Sequence, residues 1–240
     1  MSQTYVSAGR TVAAERGWSW IAEGWGLFMR APGPWIGMAI VFVLIFAVMA
    51  VIPFIGAIAA AVLTPVFVAG PVIGCRAQDE GRNLEFAHLF AGFRQGFGTL
   101  AAVGVISLVA MLAITFVAGL ITGFSLFALF SGPIDPAAIA AALVSILLTL
   151  LILLALMLPV FMALWFAPPL VVFHSQGAAA AMWASFTGCL RNMLPFLVYG
   201  VVLFVFSILA SVPLGLGWLA LGPVIAASVY TAYRDIFLSP

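Results

Sequence analysis

Lysine is absent from the 240 residues, and charge of either sign is scarce: eight arginines and seven acidic side chains make up 6% of the chain. Soluble domains carry about 25% charged residues. So few charges cannot clothe a 25.3 kDa globule in water, and an integral membrane protein is expected. The net charge of +1 provides neither a basic surface for nucleic acid nor an acidic tail. Without lysine there is no Schiff-base or Walker-type phosphate-loop chemistry. The two cysteines, Cys75 and Cys189, are too few for a disulfide framework or a thiolate metal site. The two histidines, His88 and His174, are scattered from them, short of the three or four ligands that zinc takes. A haem held by the two imidazoles would need them facing one another inside a bundle, whereas both are expected on one membrane face. HExxH and GxSxG motifs are also missing. No catalytic constellation and no cofactor are therefore expected.

What is abundant is apolar: 66% of residues, with a mean hydropathy of +1.30. A helix needs about 20 apolar residues to cross the hydrocarbon of a bilayer. The first 16 residues have no apolar core, so the first span serves as an uncleaved anchor. Six spans are read: 35–52, a second ending near Gly74 after the Pro53/Gly56 turn, 97–121, 137–172 with a bend at Pro159, 194–210, and a sixth ending near Tyr233 after the turn at Pro213, Gly215 and Gly217. The stretch GFSLFALFSGPIDP between the third and fourth is read as a loop carrying at most a short interfacial helix. In this scheme all eight arginines fall on one side and Asp135 is the one charge opposite. Arginine on short loops stays cytoplasmic, so both termini are expected inside.

Internal similarity is the most specific signal. WGLFMRAPGPW, FAGFRQGFGTL and FTGCLRNMLPF each place an apolar stripe, an arginine (Arg30, Arg94, Arg191) and a Gly- or Pro-containing entry into a span. Pro65, Pro159 and Pro223 open PVFVA, PVFMA and PVIAA in the second helix of each hairpin. Arg76 and Arg234 each follow eleven residues after their proline. The fold expected is all-α: a polytopic bundle of six transmembrane helices and three cytoplasmic amphipathic helices, in three tandem units over about 17–76, 84–173 and 177–235 of a single membrane domain. The middle unit is longer, and its excess of about 30 residues falls on the outward loop and helix ends.

The three amphipathic stretches carry stripes of Trp18, Ile21, Trp25 and Phe28, of Phe86, Leu89, Phe90 and Phe93, and of Met182, Phe186 and Met193. Such helices lie in the interface with their apolar face in the acyl boundary. They serve either as anchors or as docking surfaces for a cytoplasmic partner. Trp18 and Trp25 are expected to anchor the first, with Arg16 an exposed charge of smaller effect. Asp79 and Glu80, with Glu85 and His88, read as a turn and a helix start rather than a metal or acid–base cluster.

GWSWIAEGWGLFMRAPGPW, LEFAHLFAGFRQG and YTAYRDIF together resemble an uncharacterised family of bacterial six-span inner-membrane proteins. They are distantly similar to the membrane domain attached to some glycerophosphodiester phosphodiesterases. The resemblance implies a topology and a bacterial cytoplasmic membrane, and brings no catalytic residue with it. Ionisable residues within a span are costly and mark coupled transport; the six spans contain none. Two functions remain: a scaffold or accessory subunit of a membrane complex, or a carrier or channel for a lipid or an uncharged solute. An enzyme ranks third. The partners expected are membrane lipids and a membrane protein or second copy, with no nucleic acid.

Overall fold

The computed structural model describes residues 4–7, 9–132 and 135–239. Helix dominates: α1 (Arg16–Arg30), α2 (Pro32–Val51), α3 (Ile55–Asp79), a 3₁₀ turn (Phe86–Phe90), α4 (Ala91–Arg94), α5 (Phe97–Ser131), α6 (Pro136–Trp165), α7 (Ala167–His174), α8 (Ala178–Arg191), α9 (Met193–Ser211) and α10 (Trp218–Phe237). Two short strands, β1 (Thr4–Tyr5) and β2 (Leu238–Ser239), pair antiparallel and tie the two ends of the chain together. Among the described residues five segments are long and apolar enough to cross a membrane: α2, α3, α5, α6 running on into α7, and α9.

Four sequence expectations change. The residues read as an outward loop continue α5 to Ser131, because nothing before Gly132 and Pro133 breaks the helix; residues 133–134 lie outside the described residues. The second amphipathic stretch is a 3₁₀ turn followed by a four-residue helix. The break in the fourth span falls at Phe166 and not at Pro159, through which α6 runs without interruption. One proline removes one helix donor. Pro168 and Pro169 remove two in succession, and the Ser185 hydroxyl is wedged into the ladder: it accepts from the Phe166 N–H at 2.8 Å and donates to the Met162 carbonyl at 2.6 Å. Finally, α10 is outside the five apolar segments. Its second half is buried on nearly every side, including Ser228, Tyr230, Thr231 and Tyr233, so it presents little surface to a solvent of any kind.

The chain separates into two compact units, one reaching up to Val105 and resuming at Met162, the other over Ile106–Phe161. In the first, α10 is the central helix, with α1, α3 and α9 against it. Close approach of α1 is set by two glycines. A Cβ on Gly17 would sit 2.1 Å from the Pro195 carbonyl oxygen, and one on Gly24 would sit 2.9 Å from the Val224 oxygen and the Ser228 nitrogen. Trp20, Ile21, Leu27 and Phe28 fill the remainder of that face. Buried hydroxyls are paired across it: Thr231 donates to the Trp20 carbonyl at 3.0 Å, and Tyr199 and Ser228 bond at 2.6 Å.

The second unit is a helical hairpin made from most of α5 and α6. Ala142, Ser107 and Thr149 are its buried residues. One hydroxyl pair, Ser125 with Ser145 at 2.5 Å, links its helices, and Asp135 caps α6 through the Ala138 N–H at 2.7 Å. Thr115, Ser131 and Thr149 bond back to their own helix, at the carbonyls of Met111, Phe127 and Ser145.

Candidate functional site: an arginine-rich network and cleft

The ends of α1, α3 and α10 bring together charges from the two ends of the sequence. Asp235 accepts from Arg10 at 3.0 Å, from Arg16 at 2.5 Å and from the Trp20 indole at 3.0 Å. Arg16 also donates to Glu23 at 2.8 Å, Glu23 accepts from Arg234 at 3.1 Å, and Arg234 donates to Asp79 at 2.6 Å. Arg30 stands 3.8 Å from Asp79. Beside this chain of pairs, Glu80 accepts from Arg76 at 2.9 Å and also from Arg82. Burial opposes the charge on Arg16, but its bonds to Asp235 and Glu23 outweigh that and hold its pKa above the ordinary value. The bonds from Arg82 and then Arg76 hold the Glu80 carboxyl below its usual range.

A cleft of about 570 Å³ opens among these groups, lined by Arg76, Asp79, Glu80, Phe173, His174, Tyr230, Tyr233, Arg234 and Leu238. It lies where α3, α7 and α10 end, at Asp79, His174 and Phe237. The Arg76 guanidinium lies 4.9 Å from the Phe173 ring centre, a cation–π contact. His174 Nε2 and the Tyr233 hydroxyl are 2.5 Å apart, and the His174 ring stacks on Tyr5 at 3.8 Å. The Tyr5 hydroxyl accepts from Gln176. Burial pushes the Tyr5 pKa up, and the Gln176 bond partly offsets this.

The segment preceding α1 is strapped beside this network by Asn192, which is 1% exposed. Its side-chain oxygen accepts from the Val12 N–H at 2.9 Å; its nitrogen donates to the Arg10 and Gly188 carbonyls at 3.0 and 2.8 Å. Arg191 donates to the Gly9 carbonyl at 3.3 Å.

Of the residues singled out from sequence, Arg30, Arg94 and Arg191 are each the last residue of a helix (α1, α4 and α8) shortly before an apolar one begins. Pro65 and Pro223 are buried inside α3 and α10, whereas Pro159 is exposed inside α6. The stripe on α1 is divided. Ile21 and Phe28 are buried against the first unit, while Trp18 and Trp25 are half exposed. Arg16, read as an exposed charge, is held by two carboxylates. Asp79 and Glu80 end α3 and pair with arginines, and Glu85 and His88 form a capping box on the 3₁₀ turn. The cleft and the roles of Asp235, Ser185 and Asn192 were not anticipated. The one sequence sign of the cleft was the equal spacing that set Arg76 and Arg234 behind their prolines.

A protein of Burkholderia thailandensis (strain E264) named a probable inner membrane protein is 29% identical to this chain over 228 residues, covering 91% of this chain and 82% of that protein. No family model and no solved structure matches.

Proposed function

We propose that the chain is an integral protein of a bacterial inner membrane that acts as a non-enzymatic scaffold or accessory subunit, offering the α5–α6 hairpin to an apolar helix of another membrane protein. The observation that carries this reading is helix length combined with exposure. α5 has 35 residues, about 52 Å at 1.5 Å per residue, against about 30 Å of hydrocarbon. Even a tilt of about 40° leaves a projection of about 40 Å. Yet the far end stays apolar, with Phe124, Phe127 and Phe130 all at least 70% exposed. Apolar surface of this kind calls for a cover. Gly119 and Gly123 lie on a face where an added Cβ meets no atom within 4 Å, so a partner helix could approach closely there. The groove beside Ile121, Ala140, Ala141, Val144, Ser145 and Leu148 is apolar and open, as a docking surface requires and unlike a polar solute path.

Six spans with both termini cytoplasmic fit this reading. The β1–β2 pairing sets the two ends of the chain side by side, which asks for an even number of crossings; α10 is the natural sixth beside five apolar segments. Arg10, Arg16, Arg30 and Arg234 share one network, Arg76 and Arg82 share Glu80 beside it, and Arg191 bonds to the neighbouring Gly9, in keeping with arginine retained inside. The threefold repeat is supported by spacing. Pro65 and Pro223 each precede the end of their helix by 14 residues, at Asp79 and Phe237, and Pro159 precedes the end of α7 at His174 by 15. Within this scheme Trp18 and Trp25 anchor α1 at the interface. The likeness to phosphodiesterase membrane domains is a matter of topology only.

Photo-crosslinking tests the docking role. A photoreactive residue in place of Phe124 or Phe127, activated in native membranes, should give one discrete protein adduct that is lost when Gly119 and Gly123 are both changed to Leu. Lipid adducts alone, or a protein adduct indifferent to the glycine changes, would overturn it.

A further inference from the structure

From the face that α5 leaves uncovered we infer that the hairpin pairs with a second copy of this chain, α5 against α5 about a twofold axis along the membrane normal. The inference rests on the docking reading above and names the helix that docks. α5 carries two seams. One, through Ile114, Ala118, Thr122 and Ser125, is partly buried and turns to α6, where Ser125 meets Ser145. The other runs through Leu112, Phe116, Gly119, Gly123, Phe127 and Phe130, all exposed. Its intervals of four, three, four, four and three residues keep it within an arc of about 80°, the spacing with which one helix packs along another. Its four large side chains are 59–72% exposed. A Cβ added to either glycine meets no atom within 4 Å.

Length selects the occupant. A partner helix of about 20 residues that starts level with Phe97 ends near Phe116, and α2 and α9, with 20 and 19 residues, are of that kind. Such a helix leaves Phe127 and Phe130 bare. A second α5 has the same 35 residues and is uncharged throughout, so one contact covers the projecting ends of both copies without repulsion. Every copy enters the bilayer in the same direction. Two α5 helices therefore meet parallel, and each residue faces its counterpart at equal depth, as an isologous contact requires. Gly119 and Gly123 allow the backbones to cross closely. Leu112 and Phe116 below them, and Phe127 and Phe130 above, fill the space where the helices diverge. A phenylalanine fully covered buries about 150 Å², so the seam offers on the order of 500 Å² per copy. The pair then buries about 1,000 Å², the size at which a specific interface begins.

The experiment uses the full chain in native membranes that hold tagged and untagged copies together. A photoreactive residue replaces Phe127 on the seam or, as a control, Val117, which is 50% exposed but lies on another side of α5. Activation at position 127 should give an adduct of twice the chain's mass in which the tagged copy retains the untagged one; position 117 should give little or none. Gly119→Leu with Gly123→Leu should abolish the adduct. Dilute detergent separates the copies, so the melt of that double variant reports the fold of one chain and should not change. The contrast between positions 127 and 117 needs no glycine substitution and stands even if the double variant folds poorly. An adduct with a different protein and none with the second copy would overturn the pairing and leave the docking reading intact. Lipid adducts alone would sink both. Equal self-adducts from the two positions would mean random encounter and would also overturn the pairing.

Discussion

The two compact units are both rich in apolar side chains, yet they are held together in different ways. In the unit built around α10, glycines allow α1 to approach its neighbours, and each of the buried Ser185, Asn192, Ser228 and Thr231 has a specific partner. In the 106–161 hairpin Thr115, Ser131 and Thr149 bond to their own helix, and the large side chains face outward. Hydrophobicity alone therefore does not define one arrangement in this chain. Where polar groups are buried they must be paired, and those pairings give the first unit its unique packing. The hairpin, with few of them, retains surface for something else.

That contrast can be broken first at Asp235, which is largely buried and takes bonds from Arg10, Arg16 and Trp20. Asp235→Ala should cost about 3 kcal/mol: a hydrogen bond to a charged group contributes about 1.5–3 kcal/mol, and the two arginines, 40% and 32% exposed, count for less than buried partners would. The loss is read as a fall in thermal stability and as faster proteolysis ahead of α1. Next is Ser185→Ala, which strips the Phe166 N–H of its acceptor inside the protein. The penalty should be about 1–3 kcal/mol, while the corresponding Ser125→Ala change in the hairpin should be nearly silent in the same melt.

A smaller effect ranks the contributions to α1. Arg16→Gln removes ion pairs to Asp235 and Glu23, so it should loosen α1 in detergent by about 1 kcal/mol. Trp18→Ser with Trp25→Ser should leave the detergent melt nearly unchanged and weaken protection of the N-terminal segment only in a bilayer. This reverses the order expected when Arg16 was read as a lone exposed charge. The least effect concerns Cys189. Burial pushes its thiol up to about 12, a bond with Ser185 offsetting part of the shift. At pH 8 the folded protein should resist thiolate-directed alkylation at this position and the unfolded chain should not. Since the folded value lies above the free value of about 8.5, this group's contribution to stability is intact below pH 8.5 and declines as pH rises towards 12. Rapid labelling of the folded protein at pH 8 would contradict the burial of α8.

The helices were legible where local chemistry punctuates them. The α2–α3 turn at Pro53 and the ends at Arg30, Arg94 and Arg191 follow from proline, glycine and charge placed close together in the chain. The extension of α5 was missed because Gly123 and Ser125 look like loop residues, though in a helix with apolar surroundings they are tolerated. Trp18, Ile21, Trp25 and Phe28 have a helical period, but so does the face that is buried, which is marked by Gly17 and Gly24: small residues signal close packing and score poorly as hydrophobic. Beyond the equal spacing of Arg76 and Arg234 behind their prolines, the cleft was not legible. It joins residues such as Asp79 and Arg234, separated by 155 positions, and nothing in a local pattern reports a contact across that distance.

The contrast between the units is tested most directly by one pair of substitutions measured in one unfolding experiment. Gly24→Leu places a side chain against the backbone of α10, and overpacking of this kind costs about 1–3 kcal/mol or more; Gly123→Leu places the same side chain into open space. The full chain in detergent should lose several degrees of Tm with the first change and remain within error of the unaltered protein with the second. Equal losses, or a larger loss at Gly123, would show that the hairpin is packed as specifically as the unit around α10 and would contradict the account.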